Sequence, residues 1–363
     1  MRTLYFLSVL LAAALRVHDP SPAERTSCIQ DVVCVTAERH EQGVVFVVDN
    51  RTAEPLGVVI DAGLEGLAAD VPLPHTAIYP PGRSRAFAAR AHGGGRWSYR
   101  YRFAYLPVHD TERTCHAPSF CVVREQALTS IRYYVENHGP AVLSARFEMQ
   151  PTNMRMSTSF PYAGAFQPGR TLAFEGTVID PLKPWDTSYR TRWAPGDVSQ
   201  VPDLEYAYAL PFAPGAAYTV VQGYHGRFSH QHTYALDFDL PRGTPVHAAR
   251  DGVVVAVEER FGDGAPEERF RDRANYVHIQ HADGTVGYYV HLERGGALVN
   301  VGDWVRRGQR IGLSGNSGYS AGPHLHFEVV RLTRDVRPAS LPVRFRIGPR
   351  TTELREGEQY RAD

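Results

Sequence analysis

The sequence predicts an all-β chain in three parts: two tandem β-sandwich modules, then a third and different all-β domain. Three observations predict it. A pair of cysteines, Cys28 and Cys34, returns 87 residues later as Cys115 and Cys121, together with much of the surrounding pattern. Short runs of β-branched and aromatic residues are punctuated by 32 Gly and 26 Pro. Nine of the 16 histidines fall between His225 and His326, a stretch that holds no cysteine.

The chain opens on Arg2 and an apolar run from Leu4 to Leu15 that ends in Ala12-Ala13-Ala14. Residues 1–14 read as a secretory signal peptide, with an uncleaved tether as the alternative. The run is too short to cross a bilayer comfortably, so no stable membrane span is expected. In an exported chain an even cysteine count implies disulfides, and the local pairs Cys28–Cys34 and Cys115–Cys121 are expected. Crossed pairings remain open. A four-thiolate zinc site is disfavoured by export and by a spacing unlike Cys-x2-Cys.

The repeat sets the two modules at residues 24–110 and 111–203. Asp49-Asn50 is echoed by Glu136-Asn137, Pro81-Gly82-Arg83 by Pro168-Gly169-Arg170, and Phe87 by Phe174. One residue out of step, Trp97 and Tyr101 match Trp185 and Tyr189. Strand-like runs, Val44 to Val48 and Ile131 to Val135, precede each Asn. Copies of this length with several short strands fit small immunoglobulin-like sandwiches, small enough for a disulfide to matter to stability. Aromatic residues Trp97, Tyr99, Tyr101, Trp185, Tyr189 and Trp193 could stack on sugar rings; a closing strand packed on each core is the simpler reading.

The third domain is placed at residues 204–335. Strands read at Ala235–Leu240, Gly252–Glu258, Tyr276–His281, Val286–His291 and Pro323–Val330, without convincing helical periodicity. The segment Arg260 to Arg273 is dense in charge and reads as a solvated loop, or as a groove lip. The extension 336–363 reads as one more short strand and a frayed end. Acidic and basic residues balance at 39 each, which implies no polyanion and no nucleic-acid partner; Lys183 is the only lysine.

Three blocks carry chemistry. The first is Phe228-Ser229-His230-Gln231-His232-Thr233-Tyr234-Ala235-Leu236-Asp237-Phe238-Asp239, followed by Pro241-Arg242-Gly243-Thr244-Pro245-Val246. The second is Val286-Gly287-Tyr288-Tyr289-Val290-His291-Leu292. The third runs from Gly308-Gln309-Arg310-Ile311-Gly312 into Gly322-Pro323-His324-Leu325-His326-Phe327-Glu328. In the third block His324 and His326 share one strand face, while Leu325, Phe327 and Val329 turn to a core.

Together these blocks resemble the lysostaphin-type (LytM-like) zinc endopeptidases that cut peptide bridges of bacterial peptidoglycan. The resemblance covers about Val220 to Val330. It implies one Zn2+ held by a His and an Asp of the first block and by the second His of His-x-His. Carried over, Asp237 and His326 are ligands. Thr233 stands where many members have the His of His-x3-Asp, so the first His is His230 or His232, with His230 favoured for a Phe-Ser-His context that resembles a longer-looped branch of the family. Asp239 reads as a neighbouring or solvated carboxylate. Two imidazoles and one carboxylate leave a fourth zinc position for water. No His-Glu-x-x-His is present, so the resemblance assigns the acid–base work to His291 and His324. His247, His278 and His281 read as structural, and His225 as part of a groove-edge loop. The function implied is an exported peptidoglycan endopeptidase of the periplasm or cell envelope. A non-catalytic wall-binding protein, or an activator of another hydrolase, is the alternative.

Overall fold

The computed structural model describes residues 24–363 and the backbone of Ala13–Leu15. The expected signal segment, residues 1–14, lies outside the described residues except for the backbone of Ala13 and Ala14. Among the described residues all regular structure is β, apart from one 3-10 turn at Glu268–Phe270.

Residues 25–107 form two sheets. One runs in the order Arg25–Ile29, Val33–His40, Gly43–Asn50, Gly82–Ala91, Leu67–Ala69, and the other contains Ser98–Pro107, Leu56–Glu65 and His75–Tyr79 in that order. Residues 110–195 repeat this strand for strand. Asp110–Ala117, Phe120–Ala127, Ser130–Asn137, Gly169–Val178 and Met154–Met156 face Tyr189–Pro195, Leu143–Met149 and Tyr162–Phe166. Alternation drives the packing, because every second residue of each strand points inward. Val35, Phe46 and Phe87 meet Val58, Ile60, Tyr101 and Phe103 in the first core; Val122, Tyr133 and Phe174 meet Ala145 and Phe147 in the second. Ring pairs recur with the sequence, Phe46–Phe87 at 4.5 Å and Tyr133–Phe174 at 4.8 Å.

The echoed asparagines explain themselves here. Asn50 donates through Nδ2 to the carbonyls of Glu54 and Tyr79 at 2.8 and 3.0 Å. Asn137 donates to those of Ala141 and Phe166, also at 2.8 and 3.0 Å. Each Oδ1 accepts a backbone N–H, from Thr52 and Gly139 respectively. One buried amide thus joins the last residue of a strand to the opposite sheet. Both disulfides pair locally, Cys28–Cys34 and Cys115–Cys121, across adjacent antiparallel strands. Tyr99, Tyr101 and Trp185 are buried in the cores, so their faces are not open to a sugar. The modules meet where Val59, Ala104 and Leu106 of the first pack with Leu182 and Leu128 of the second.

The third region is built on a nine-stranded sheet. Its order is Trp304–Val305, Gly252–Glu258, Tyr276–Gln280, Val286–Val290, Leu325–Leu332, Ala235–Phe238, Ala217–Gln222, Gln359–Arg361, with Pro338–Ser340 flanking Leu325–Leu332. One face carries Val277, Ile279, Tyr289, Leu325, Phe327, Leu236 and Phe238 into a large core, closed by Pro245–His247, Leu292–Ala297 and Arg310–Ser314. The other face holds the chemistry.

The extension departs from expectation. It is not one strand and a frayed end: Pro338–Ser340, Arg344–Ile347, Arg350–Thr352 and Gln359–Arg361 are all paired. Val343, Phe345, Leu354 and Ala362 lie in the main core. Alternation of Val343, Phe345 and Ile347 with arginines supplies one apolar face, which a view of overall charge conceals.

Candidate metal centre

Strand register places the first two side chains. Asp237 and His326 are directly opposed on neighbouring antiparallel strands, so both point to the same face. His230 comes from the loop after Ala217–Gln222, and its Nδ1–H donates to the Gly223 carbonyl at 3.1 Å, leaving Nε2 as a lone pair. Three donor atoms then converge: His230 Nε2 to His326 Nδ1 is 3.2 Å, His326 Nδ1 to Asp237 Oδ1 is 3.0 Å, and His230 Nε2 to Asp237 Oδ1 is 3.2 Å. Tetrahedral zinc with ligand bonds of 2.0–2.1 Å sets its donors roughly 3.3 Å apart. The triangle therefore fits such an ion. His232 lies on the same loop, exposed and at φ 66°, outside this cluster.

The electrostatics agree with a buried cation. Burial opposes ionisation of Asp237, but the imidazoles of His230 and His326 against it outweigh burial and hold the carboxyl well below the usual range. Burial likewise opposes a charge on His326, yet Asp237 and Glu328 raise its pKa to about 10. A pocket that holds one positive charge this firmly as a proton offers the same field to a metal ion. The other cluster of potential ligands among the described residues, Cys121, Glu136 and His138, is unsuited, because the Cys121 sulfur is in a disulfide.

Two more imidazoles border the triangle. His291 follows the strand Val286–Val290 at φ 66°, and its Nδ1–H donates to the Ser317 carbonyl at 2.6 Å. Burial first, then the neighbouring His324 and His326, push its pKa down to about 3, so the ring is neutral with a bare Nε2. His324 donates Nδ1–H to the Gly322 carbonyl at 2.8 Å, which leaves its Nε2 3.7 Å from Asp237 Oδ1. The two rings lie 4.6 Å apart. Asp239 is exposed.

Several supporting residues escape sequence reasoning. Ser317, whose carbonyl orients His291, accepts the Asn275 N–H through Oγ and donates to the Leu292 carbonyl. Asn275 reaches on to the Phe261 carbonyl at 2.7 Å. The charged segment 260–273 is therefore not a free solvated loop. Its Phe270 is buried, and Ala265 N–H and Asp263 C=O bond to Gly318. Gly318 sits at φ +83°, where an added Cβ would lie 2.6 Å from Ala274, so glycine alone permits this seam. Arg271 lies over Tyr319, which stacks on Phe228, two residues before His230. On the sheet face, His278 is sandwiched between Tyr276 and Tyr288 at 4.2 and 3.8 Å. Gln222 was also invisible, since it reads as a polar strand end.

Over 109 residues the chain is 43% identical to the peptidoglycan DD-endopeptidase ShyA of Vibrio cholerae, covering 30% of this chain and 23% of that one. It is 38% identical over 109 residues to an uncharacterized metalloprotease of Buchnera aphidicola, covering 30% and 26%. The chain thus aligns with about a quarter of the length of these curated relatives. The solved catalytic domain of the antimicrobial peptidase lysostaphin from Staphylococcus simulans is 28% identical, covering 34% of this chain and 87% of that one, with a TM-score of 0.25. Residues 231–338 match peptidase family M23, so the chain carries a peptidase domain of that metallopeptidase family.

Proposed function

We propose that this protein is an exported zinc-dependent endopeptidase that hydrolyses peptide cross-bridges of bacterial peptidoglycan in the cell envelope. The observation that carries the reading is the triangle of His230, Asp237 and His326 donors flanked by two imidazoles with bare Nε2 atoms. The DD-endopeptidase name of the Vibrio relative supports the substrate class.

In this reading His230, Asp237 and His326 hold the metal. Bound zinc supplies a water of lowered pKa and polarises the scissile carbonyl. His291 and His324 divide the proton work. One Nε2 takes the proton of the attacking water as its oxygen bonds to the carbonyl carbon. That proton passes to the other Nε2, which then donates to the oxyanion and delivers it to the departing amine as the C–N bond breaks. Carbonyl acceptors on Nδ1 keep both rings in the tautomer this needs. The joined rim of Phe228, Tyr319 and Arg271 borders the groove that receives the peptide. The N-terminal pair are proposed as immunoglobulin-like modules spanning 24–110 and 111–203, with the peptidase domain beginning at 204 and incorporating 336–363.

Digestion of a peptidoglycan panel, with products identified by mass spectrometry, tests the reading. Cross-bridge cleavage that stops with chelator and returns with zinc is expected. A zinc-loaded protein that cleaves no muropeptide would sink it and leave the non-catalytic alternative.

A further inference from the structure

Gln222 closes the strand Ala217–Gln222, is 8% exposed, and pairs in register with Asp237. Its amide is used at every position. Nε2 donates to Asp237 Oδ2 at 3.1 Å and to Ser229 Oγ at 2.8 Å. Oε1 accepts the backbone N–H of Phe228 at 3.1 Å and of Ser229 at 3.3 Å. Two donors and two acceptor bonds exhaust a glutamine amide, so its orientation is fixed: flipped, it would aim an oxygen at a carboxylate and NH2 at two N–H groups. Gly226 packs against this side chain closely enough that a Cβ there would collide with it.

The geometry points to Gln222 as a positioning residue of the metal centre, a role that rests on the metallopeptidase reading. The oxygen of Asp237 that Gln222 holds is Oδ2; the one left to face His230 and His326 is Oδ1. The same amide pins Phe228 and Ser229, the two residues that precede His230. One side chain therefore sets the presentation of a carboxylate ligand and the approach of an imidazole ligand. Side chains that orient metal ligands are worth about 10–100-fold in metal affinity.

Two variants separate the two jobs. Gln222→Glu keeps an acceptor for the Phe228 and Ser229 N–H groups but places an oxygen against Asp237 Oδ2. Gln222→Met keeps the volume and removes all four bonds. Zinc affinity is measured by competition with a chromophoric chelator, and the visible spectrum of the Co2+-loaded protein reports the ligand arrangement. Both variants are expected to lose zinc affinity about 10–100-fold and to alter the Co2+ spectrum. If Gln222→Met does not fold, Gln222→Glu carries the test. Equal or tighter zinc binding by Gln222→Glu with an unchanged Co2+ spectrum overturns the inference. A drop confined to the unfolding midpoint, with wild-type affinity and spectrum, overturns it too, since that is what a packing role alone would produce. Wild-type protein that binds no zinc would instead remove the functional reading itself.

Discussion

In the N-terminal modules the buried polar side chains of Asn50 and Asn137 spend their hydrogen bonds on backbone groups of their own fold. In the third region the buried His230 and Asp237 turn to one another and to His326, ligand atom against ligand atom. Both arrangements sit behind strands of the same alternation. The difference lies in whether the buried group finds a neutral complement. An amide facing carbonyls is complete without a ligand, whereas two imidazole nitrogens and a carboxylate oxygen within 3.2 Å of each other are held together only by a positive charge, a proton or a metal ion. The first kind of burial stabilises a fold and the second prepares a site.

Removing a member of the triangle should break the comparison most. His326→Ala is expected to reduce bound zinc from one per chain to near none, by elemental analysis, and to remove wall-hydrolysing activity by at least about 10³-fold. Unfolding of the N-terminal modules should not change. Next come the flanking imidazoles. His291→Ala and His324→Ala should keep the zinc while turnover on a muropeptide falls about 10²–10⁴-fold, the range of a lost acid–base group. Zinc loss in either would move that residue from proton transfer into ligation.

How much of this was legible in the sequence follows from which features are periodic. His-x-His on an alternating strand announces a shared face, and the register with Asp237 then follows from pairing. His291 is only partly legible. The strand read through it, but it lies beyond Val290, at a left-handed turn that no local pattern demands. Gln222 and Ser317 act through bonds to residues 15 and 26 positions away, and their own neighbourhoods look like ordinary polar strand ends or loops. The asparagine echo was visible as recurrence but not as a role, because its acceptors Tyr79 and Phe166 lie 29 residues on. The extension was misread for a related reason: its partners, Ala207–Tyr208 and Ala217–Gln222, lie more than a hundred residues earlier.

A histidine of the M23 domain that belongs to neither class sharpens the contrast. His281 is buried, with Nδ1–H donating to the Asp251 carbonyl at 2.8 Å and Nε2 without a partner. Burial lowers its pKa to about 4 from 6.5. The folded state therefore binds fewer protons than the unfolded one between those values. Its contribution is fully present above pH 6.5 and declines by about 3 kcal/mol as pH falls to 4. Denaturant unfolding of wild type and His281→Asn across pH 7 to 4, at equal zinc loading, measures the difference. The variant should lose less stability on acidification; parallel curves would mean His281 does not contribute.

The smallest effect is the most demanding test of the repeat. Asn50→Ala and Asn137→Ala each leave the carbonyls of an opposite sheet, Tyr79 or Phe166, without their donor. An unsatisfied buried group costs about 1–3 kcal/mol. The Nδ2 bonds match in length and topology, 2.8 and 3.0 Å in each copy, so the penalties should agree except for the Thr52 hydroxyl, which Asn50 alone accepts, at 2.7 Å. Fluorescence can separate the modules, since Trp97 reports on the first and Trp185 and Trp193 on the second. Zinc content and turnover per folded molecule should stay at wild-type level in both variants, because neither asparagine faces the metal centre. A penalty present in one copy and absent in the other would show that matched Nδ2 hydrogen bonds are embedded in unequal modules. The seam at Leu128 and Leu182, which loads Val59 and Leu106 of the first module against the second, would then be the place where the energetic symmetry is lost.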